Sequence, residues 1–107
     1  MKYRVFVIAE AEEDIVDLHT YVRQNDSPDR ASRLFNHLRE TIESLSEIPE
    51  RGHVPPELLA VSVMNYREIH WKPYRIIYQI EDGKVFVHAV LDGRRDLQEL
   101  LERRLLR

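Results

Sequence analysis

The dipeptide Asp82-Gly83 constrains this chain more than any other feature. It lies between two alternating apolar runs, where Asp-Gly favours a two-residue hairpin because both central positions take positive φ. That turn sets a register in which Glu81 faces Lys84, Ile80 faces Val85, Tyr78 faces Val87, Ile76 faces Ala89 and Tyr74 faces Leu91. One pair is a charge match, and the others are apolar or aromatic couples that stabilise a sheet face. Side chains alternate across a strand, so the opposite face carries Arg75, Ile77, Gln79, Phe86, His88 and Val90. The first face is expected to cover a core and the second, mixed face to carry function. A connection at Lys72-Pro73 adds a third strand. Ile69 and Trp71 then join the apolar face, and Glu68 and His70 fall beside Arg75.

Before this sheet the hydrophobic period changes. Lys2 to Ile8 reads as a strand, rich in β-branched and aromatic residues. From Ala9, the residues Ala11, Ile15, Leu18 and Val22 form a helical stripe, with Glu12, Glu13, Asp14 and Asp17 facing away, and Asn25-Asp26 ends the helix. Ser27 as N-cap and Pro28 at the first position open a second helix, whose stripe is Ala31, Leu34, Phe35, Leu38, Ile42 and Leu45. Pro49 and Gly52 stop it. The short link between the two helices implies an antiparallel hairpin that needs the apolar sheet face as cover. Pro55-Pro56 breaks regular structure, and Leu58 to Met64 reads either as an irregular turn or as the start of a strand. Asp96, with Glu99 three residues on, is placed to cap a last helix with the stripe Leu97, Leu100, Leu101 and Leu105. The expected fold is therefore α+β in the order β-α-α-β-β-β-α, a single domain over residues 1–107. A helical hairpin packs on one face of a mainly antiparallel sheet, and a short C-terminal helix follows.

Composition narrows the class. The chain has 107 residues, 43% hydrophobic and 33% charged, as expected of an ordinary globular domain. It has no cysteine, hence no disulfide framework and no thiolate chemistry. No run approaches the ~20 apolar residues of a membrane span, and a soluble, cytoplasmic protein is expected. The net charge of −3 argues against indiscriminate coating of nucleic acid. Charge is polarised, with 12 acids against 5 bases in residues 9–65 and 9 bases against 7 acids from residue 66 on. Most of the cations are arginines, the type suited to bidentate contacts.

Several residues carry a functional and a structural reading side by side. Arg75 is either an anion or partner contact or a structural arginine paired with Glu68 or a C-terminal acid. His70 and His88 are either an acid–base pair or two half-exposed sheet histidines. Arg94 and Arg95 follow the last strand, where loops often carry function, and serve either to bind a partner's acids or to fasten the tail helix. Arg103, Arg104 and Arg107 either reach a target or form a solvated basic face. His19, His37 and His53 show no metal-ligand spacing, and neither a metal nor a cofactor is expected.

The motifs also resemble a known family. Ala11-x-x-Asp14-Ile15, Pro49-x-x-Gly52, Arg67-Glu68 leading into Pro73-Tyr74-Arg75-Ile76-Ile77-Tyr78, and Leu91-Asp92-Gly93-Arg94-Arg95-Asp96 together resemble the toxins of the RelE/ParE superfamily of type II toxin–antitoxin systems. The resemblance covers essentially the whole chain. It implies a cognate antitoxin that lays a helix and a strand across the toxin, giving a hetero-oligomer. It also implies one of two activities on one fold. RelE-like members cut mRNA on the ribosome, and ParE-like members poison DNA gyrase without chemistry. Under the RelE-like alternative, Arg75 and Arg95 match the two catalytic arginines, with His70 as a further candidate. The lysine-pair positions fall on Glu68 and His70, or on Arg67 and Ile69, and the tail tyrosine position falls on Leu101. No lysine pair and no tyrosine stand there, so the reading leans ParE-like, with no catalytic residue. The candidate partner- or target-binding set is then Glu68, His70, Arg75, His88, Arg94, Arg95, Arg103 and Arg104. A weakly toxic binding remnant of the fold is the third reading.

Overall fold

The computed structural model describes residues 2–106, so Arg107 lies outside the described residues. Strand β1 (Arg4–Val7) leads into helices α1 (Ala9–Asn25) and α2 (Pro28–Glu43). Two short 3-10 turns (Ser44–Ser46 and Pro49–Arg51) and a one-turn helix α3 (Pro56–Leu59) follow. Then come β2 (Arg67–Trp71), β3 (Tyr74–Glu81), β4 (Lys84–Asp92) and helix α4 (Gln98–Leu105). The strand order is β1-β4-β3-β2, with β1 parallel to β4 and the other two pairings antiparallel. Apart from α3, which occupies part of the ambiguous 58–64 stretch, the order matches the sequence reading.

The turn chemistry holds. Asp82 (φ 50) and Gly83 (φ 74) both take the left-handed region that a two-residue hairpin demands, and Glu81 pairs with Lys84. Trp71 pairs with Tyr74 across the Lys72-Pro73 turn, which places Glu68 opposite Ile77 and His70 opposite Arg75. Ser27 caps α2 by accepting a hydrogen bond from the Arg30 amide at 3.1 Å. The expected Asp96 cap is corrected: Leu97 is the N-cap of α4, without a side-chain cap, and Asp96 accepts from the Gln98 amide at 3.2 Å just before the helix.

One register expectation needs correction. The β3–β4 ladder follows the predicted pairs down to Tyr78–Val87 and then shifts at a bulge between Ile77 and Tyr78. Beyond it Ile77 pairs with Ala89, Ile76 with Val90 and Tyr74 with Asp92. The extra residue on β4 exchanges faces. Val90 therefore joins Ile69, Ile76, Tyr78, Val85 and Val87 under the helical hairpin, with Leu34, Leu38 and Ile42 of α2. Ala89 and Leu91 turn to the opposite face and pack with Ile77, Tyr66, Leu58, Leu97 and Leu101. Both faces of the sheet are thus covered, by α1–α2 on one side and by α3–α4 on the other.

The end of β1 explains an acid on α1. Asp14, expected to face solvent, instead accepts a hydrogen bond from the Val90 amide at 3.0 Å. The β1–β4 pairing stops at Val7–Val87, so a side-chain oxygen serves the amide left without a strand partner. Phe35 departs the other way: its stripe position is 43% exposed.

Tyr78 fixes the connector after α2. Its buried hydroxyl donates to the Pro49 carbonyl and accepts from the Gly52 amide at 3.2 Å. A Cβ on Gly52 would stand 2.4 Å from that hydroxyl and 2.7 Å from the Glu68 carbonyl oxygen. Both obstacles are buried and fixed, so Gly52→Ala is expected to cost about 1–3 kcal/mol in urea unfolding. An unchanged midpoint would show that the connector yields.

Candidate functional site

The polar centre of the molecule is built on β2 and β3. Glu68 faces into the α3–α4 side and is 1% exposed, which demands a partner for its charge. Arg75, on the neighbouring strand, supplies it with Nε to Oε1 at 2.7 Å and a second guanidinium nitrogen to Oε2 at 2.8 Å. The remaining guanidinium edge binds Glu57 of α3 through two bonds of 2.6 and 2.7 Å. One arginine, with 12% of its side chain exposed, therefore joins two carboxylates through two bidentate forks. Gly93 lets it lie flat, because a Cβ there would stand 2.9 Å from the Arg75 Cδ.

Histidines border the same carboxylate. His70 Nε2 lies 2.7 Å from Glu68 Oε1 and His53 Nε2 lies 3.4 Å from Oε2. The two imidazole rings meet edge to face at 5.4 Å. His53 is held there by the backbone, since its amide donates to the Glu68 carbonyl at 3.2 Å and its carbonyl accepts from the Glu68 amide at 2.7 Å. Arg67 reinforces the connector by donating to the carbonyls of Glu50 (3.0 Å) and Gly52 (2.8 Å). The donor atoms of His53, Glu68 and His70 all lie within 4.8 Å of one another, a set that sequence spacing did not join.

The other candidates disperse. His70 and His88 have separate neighbourhoods: His88 lies 2.9 Å from the Gln79 amide oxygen and packs edge to face against Tyr66. Burial, with the nearby Arg104 charge, holds the His88 imidazole below its ordinary pKa. Arg104 is not on a solvated face. It binds both oxygens of Asp14 at 3.1 Å, the His88 carbonyl at 2.8 Å and Glu10 at 3.4 Å, clamping α4 to α1 and β4. Glu68, Arg75 and Arg104, proposed from sequence as partner contacts, are thus internal ties. Arg94 is exposed and forks onto Asp92 at 2.7 and 3.0 Å. Arg95, just before α4, and Arg103, in its last turn, are exposed. Sequence reasoning missed Glu57 and His53. Both lie in the irregular 53–65 stretch, where no period ties a side chain to a face.

The electrostatics make the centre acid-sensitive. The hydrogen bonds from Arg75 hold Glu57 below the usual carboxylate range. Burial alone would push the Glu68 carboxyl up, but Arg75 and His70 outweigh it and hold it low as well. Depressed carboxylates contribute stability that is present above the unfolded value of about 4.3 and is lost as pH falls below it. The urea midpoint is therefore expected to drop as pH falls below about 4.3, and Glu57→Gln should flatten part of that drop. An identical acid slope in the variant would contradict the assignment.

Comparisons with known proteins agree with this architecture. No curated protein matches the chain significantly. Among solved structures, a chain of the chromosomal ParDE toxin–antitoxin system of P. aeruginosa superposes with TM-score 0.71 at 12% identity, covering 85% of this chain and 96% of that one. A chain of the RelBE2 toxin–antitoxin complex of Mycobacterium tuberculosis gives 0.65 at 21% identity, over 86% and 92% of the two chains. A mutant of the E. coli toxin RelE in the free state gives 0.64 at 18% identity, over 99% and 97%. At these identities the likeness establishes the fold that the RelE and ParE toxins share. The family model for the ParE toxin of the type II toxin–antitoxin system parDE matches residues 5–97, nearly the whole described chain, and the protein belongs to that toxin family.

Proposed function

We propose that this toxin acts without chemistry of its own, poisoning DNA gyrase by protein–protein contact, and that a cognate antitoxin neutralises it. The observation that carries this reading is the engagement of Arg75. Metal-free RNA scission needs a base near the 2′-OH, cations on the phosphate and an acid for the leaving oxygen. Of the two arginines that match the RelE-like pattern, Arg75 has its guanidinium taken up by Glu57 and Glu68, while Arg95 stays exposed. Leu101, at the tyrosine position, is 0% exposed in the second core. Ile69 is buried, and Arg67 holds the carbonyls of the connector. One of the two phosphate cations is thus engaged internally and the tail acid is replaced by a core leucine, which supports a non-enzymatic reading. Arg94, Arg95 and Arg103 remain at the surface as candidate target contacts.

The antitoxin is assigned to the opposite side. Strand β1 is an edge strand, and beside it runs a cleft of about 480 Å³ lined by Val5, Val7, Ile15, Val16, Phe35 and Leu38 among others. Val16 is 60% and Phe35 43% exposed, an apolar strip suited to the apolar face of a partner helix. A strand added to β1 would gain main-chain hydrogen bonds. Glu12 and Glu43 also line it, with Arg39 paired to Glu43 at 4.0 Å, and the overall acidic excess of α1 and α2 favours a partner segment carrying basic residues.

Purified gyrase supercoiling assays, run beside a translating-ribosome cleavage assay, test the target. Inhibited supercoiling with intact mRNA is expected, whereas A-site cuts with untouched gyrase would replace this reading with the RelE-like one. Phe35→Asp should leave toxicity in place and abolish rescue by the antitoxin. Full rescue of that variant would move the antitoxin elsewhere.

A further inference from the structure

We infer that His53, Glu68 and His70 form a binding site for one divalent transition-metal ion, zinc foremost, on the β2 edge of the sheet. The inference stands apart from the toxin's target. Its basis is the division of the Glu68 carboxylate. An ionised carboxylate has about four lone-pair sites, and Arg75 occupies one on each oxygen, through Nε on Oε1 and a terminal nitrogen on Oε2. The second site on each oxygen is left to a histidine. His70 Nε2 makes a 2.7 Å hydrogen bond to Oε1, which a bound ion would replace by a slight parting of the two, and His53 Nε2 stands at 3.4 Å from Oε2.

The His53 separation is too long for a good N–H···O hydrogen bond. It matches the spacing between two ligands of one tetrahedral ion, about 3.4 Å for bonds of about 2.0–2.1 Å. Both imidazoles therefore present Nε2 to the same carboxylate, with all three donor atoms inside 4.8 Å. Small rotations would bring them to a common centre, and the histidines have room to make them, with side chains 60% and 40% exposed.

The frame beneath these ligands is rigid. His53 and Glu68 are directly opposed in a two-bond backbone bridge, and His70 follows two residues along the same strand face. The carboxylate is fixed by Arg75, itself fixed by Glu57, as a ligating carboxylate is usually held by outer hydrogen bonds. Two neutral imidazoles and one carboxylate suit zinc, nickel or copper(II) and do not suit magnesium or calcium, which take oxygen ligands. The exposed side of the histidines leaves a fourth position for water or for a side chain of a partner. A bound ion would staple the 49–53 connector to β2.

The test uses the full chain without an affinity tag, freed of metal by a chelator and titrated with zinc chloride by calorimetry, with cobalt(II) as a spectroscopic probe. Binding of one ion per chain is expected, with a cobalt visible spectrum of low coordination number and a zinc-dependent rise in Tm. His53→Gln and His70→Gln should each weaken zinc binding about 10-fold or more, with metal-free urea midpoints showing that both variants fold. His37→Gln should bind as the parent does. Absence of stoichiometric zinc binding, parental affinity in both His53→Gln and His70→Gln, or an equal response to magnesium would overturn the site.

Discussion

A carboxylate sealed inside the sheet governs this structure. Glu68 is 1% exposed, and an unpaired charge at that depth costs several kcal/mol. Its partner Arg75 is therefore committed, and the commitment spreads. Arg75 draws in Glu57 and so seats α3. Gln98 donates to the Glu57 carbonyl at 2.8 Å and brings α4 along. The backbone of Glu68 pairs with His53, which positions the connector that Tyr78 and Arg67 also hold. Two glycines in the family-like motifs answer to the same centre, Gly52 under the Tyr78 hydroxyl and Gly93 against the Arg75 stem.

A second tie, Asp14 with Arg104, closes the opposite margin of β4. It serves the Val90 amide where β1 has ended and fastens the tail helix to α1. Both ties are internal, while Arg94, Arg95 and Arg103 near α4 and the apolar strip of Val16 and Phe35 beside β1 are exposed.

Much of this was legible from residue order. Asp82-Gly83 fixed the hairpin because its backbone conformation is open to few other pairs, and Ser27-Pro28 marked a helix start by capping chemistry. The placement of Glu68 beside Arg75 followed from strand alternation and the Lys72-Pro73 turn, while their pairing stood as one of two readings of Arg75. The bulge did not. Pattern matching assigned Ala89 to the wrong face and Val90 with it, because a run of apolar residues gives no sign of where one extra residue enters a ladder. The role of Asp14 was hidden for another reason: the Val90 amide it serves lacks a strand partner because β1 has ended. His53, which showed no metal-ligand spacing, and Glu57, which was not singled out, were not tied to the site for a different reason. They are brought to the site by a connector with no periodicity, and only the three-dimensional path of that connector joins them to β2 and β3.

A double-mutant cycle between Arg75 and Glu68 addresses the central claim, that this ion pair is the structural anchor of the fold. Urea unfolding of Arg75→Met, Glu68→Met and the double variant gives the coupling. A coupling of about 1–3 kcal/mol, with the double variant more stable than Arg75→Met alone, is the predicted result. Additive changes, or an Arg75→Met protein as stable as the parent, would contradict it and release Arg75 for a role at the surface.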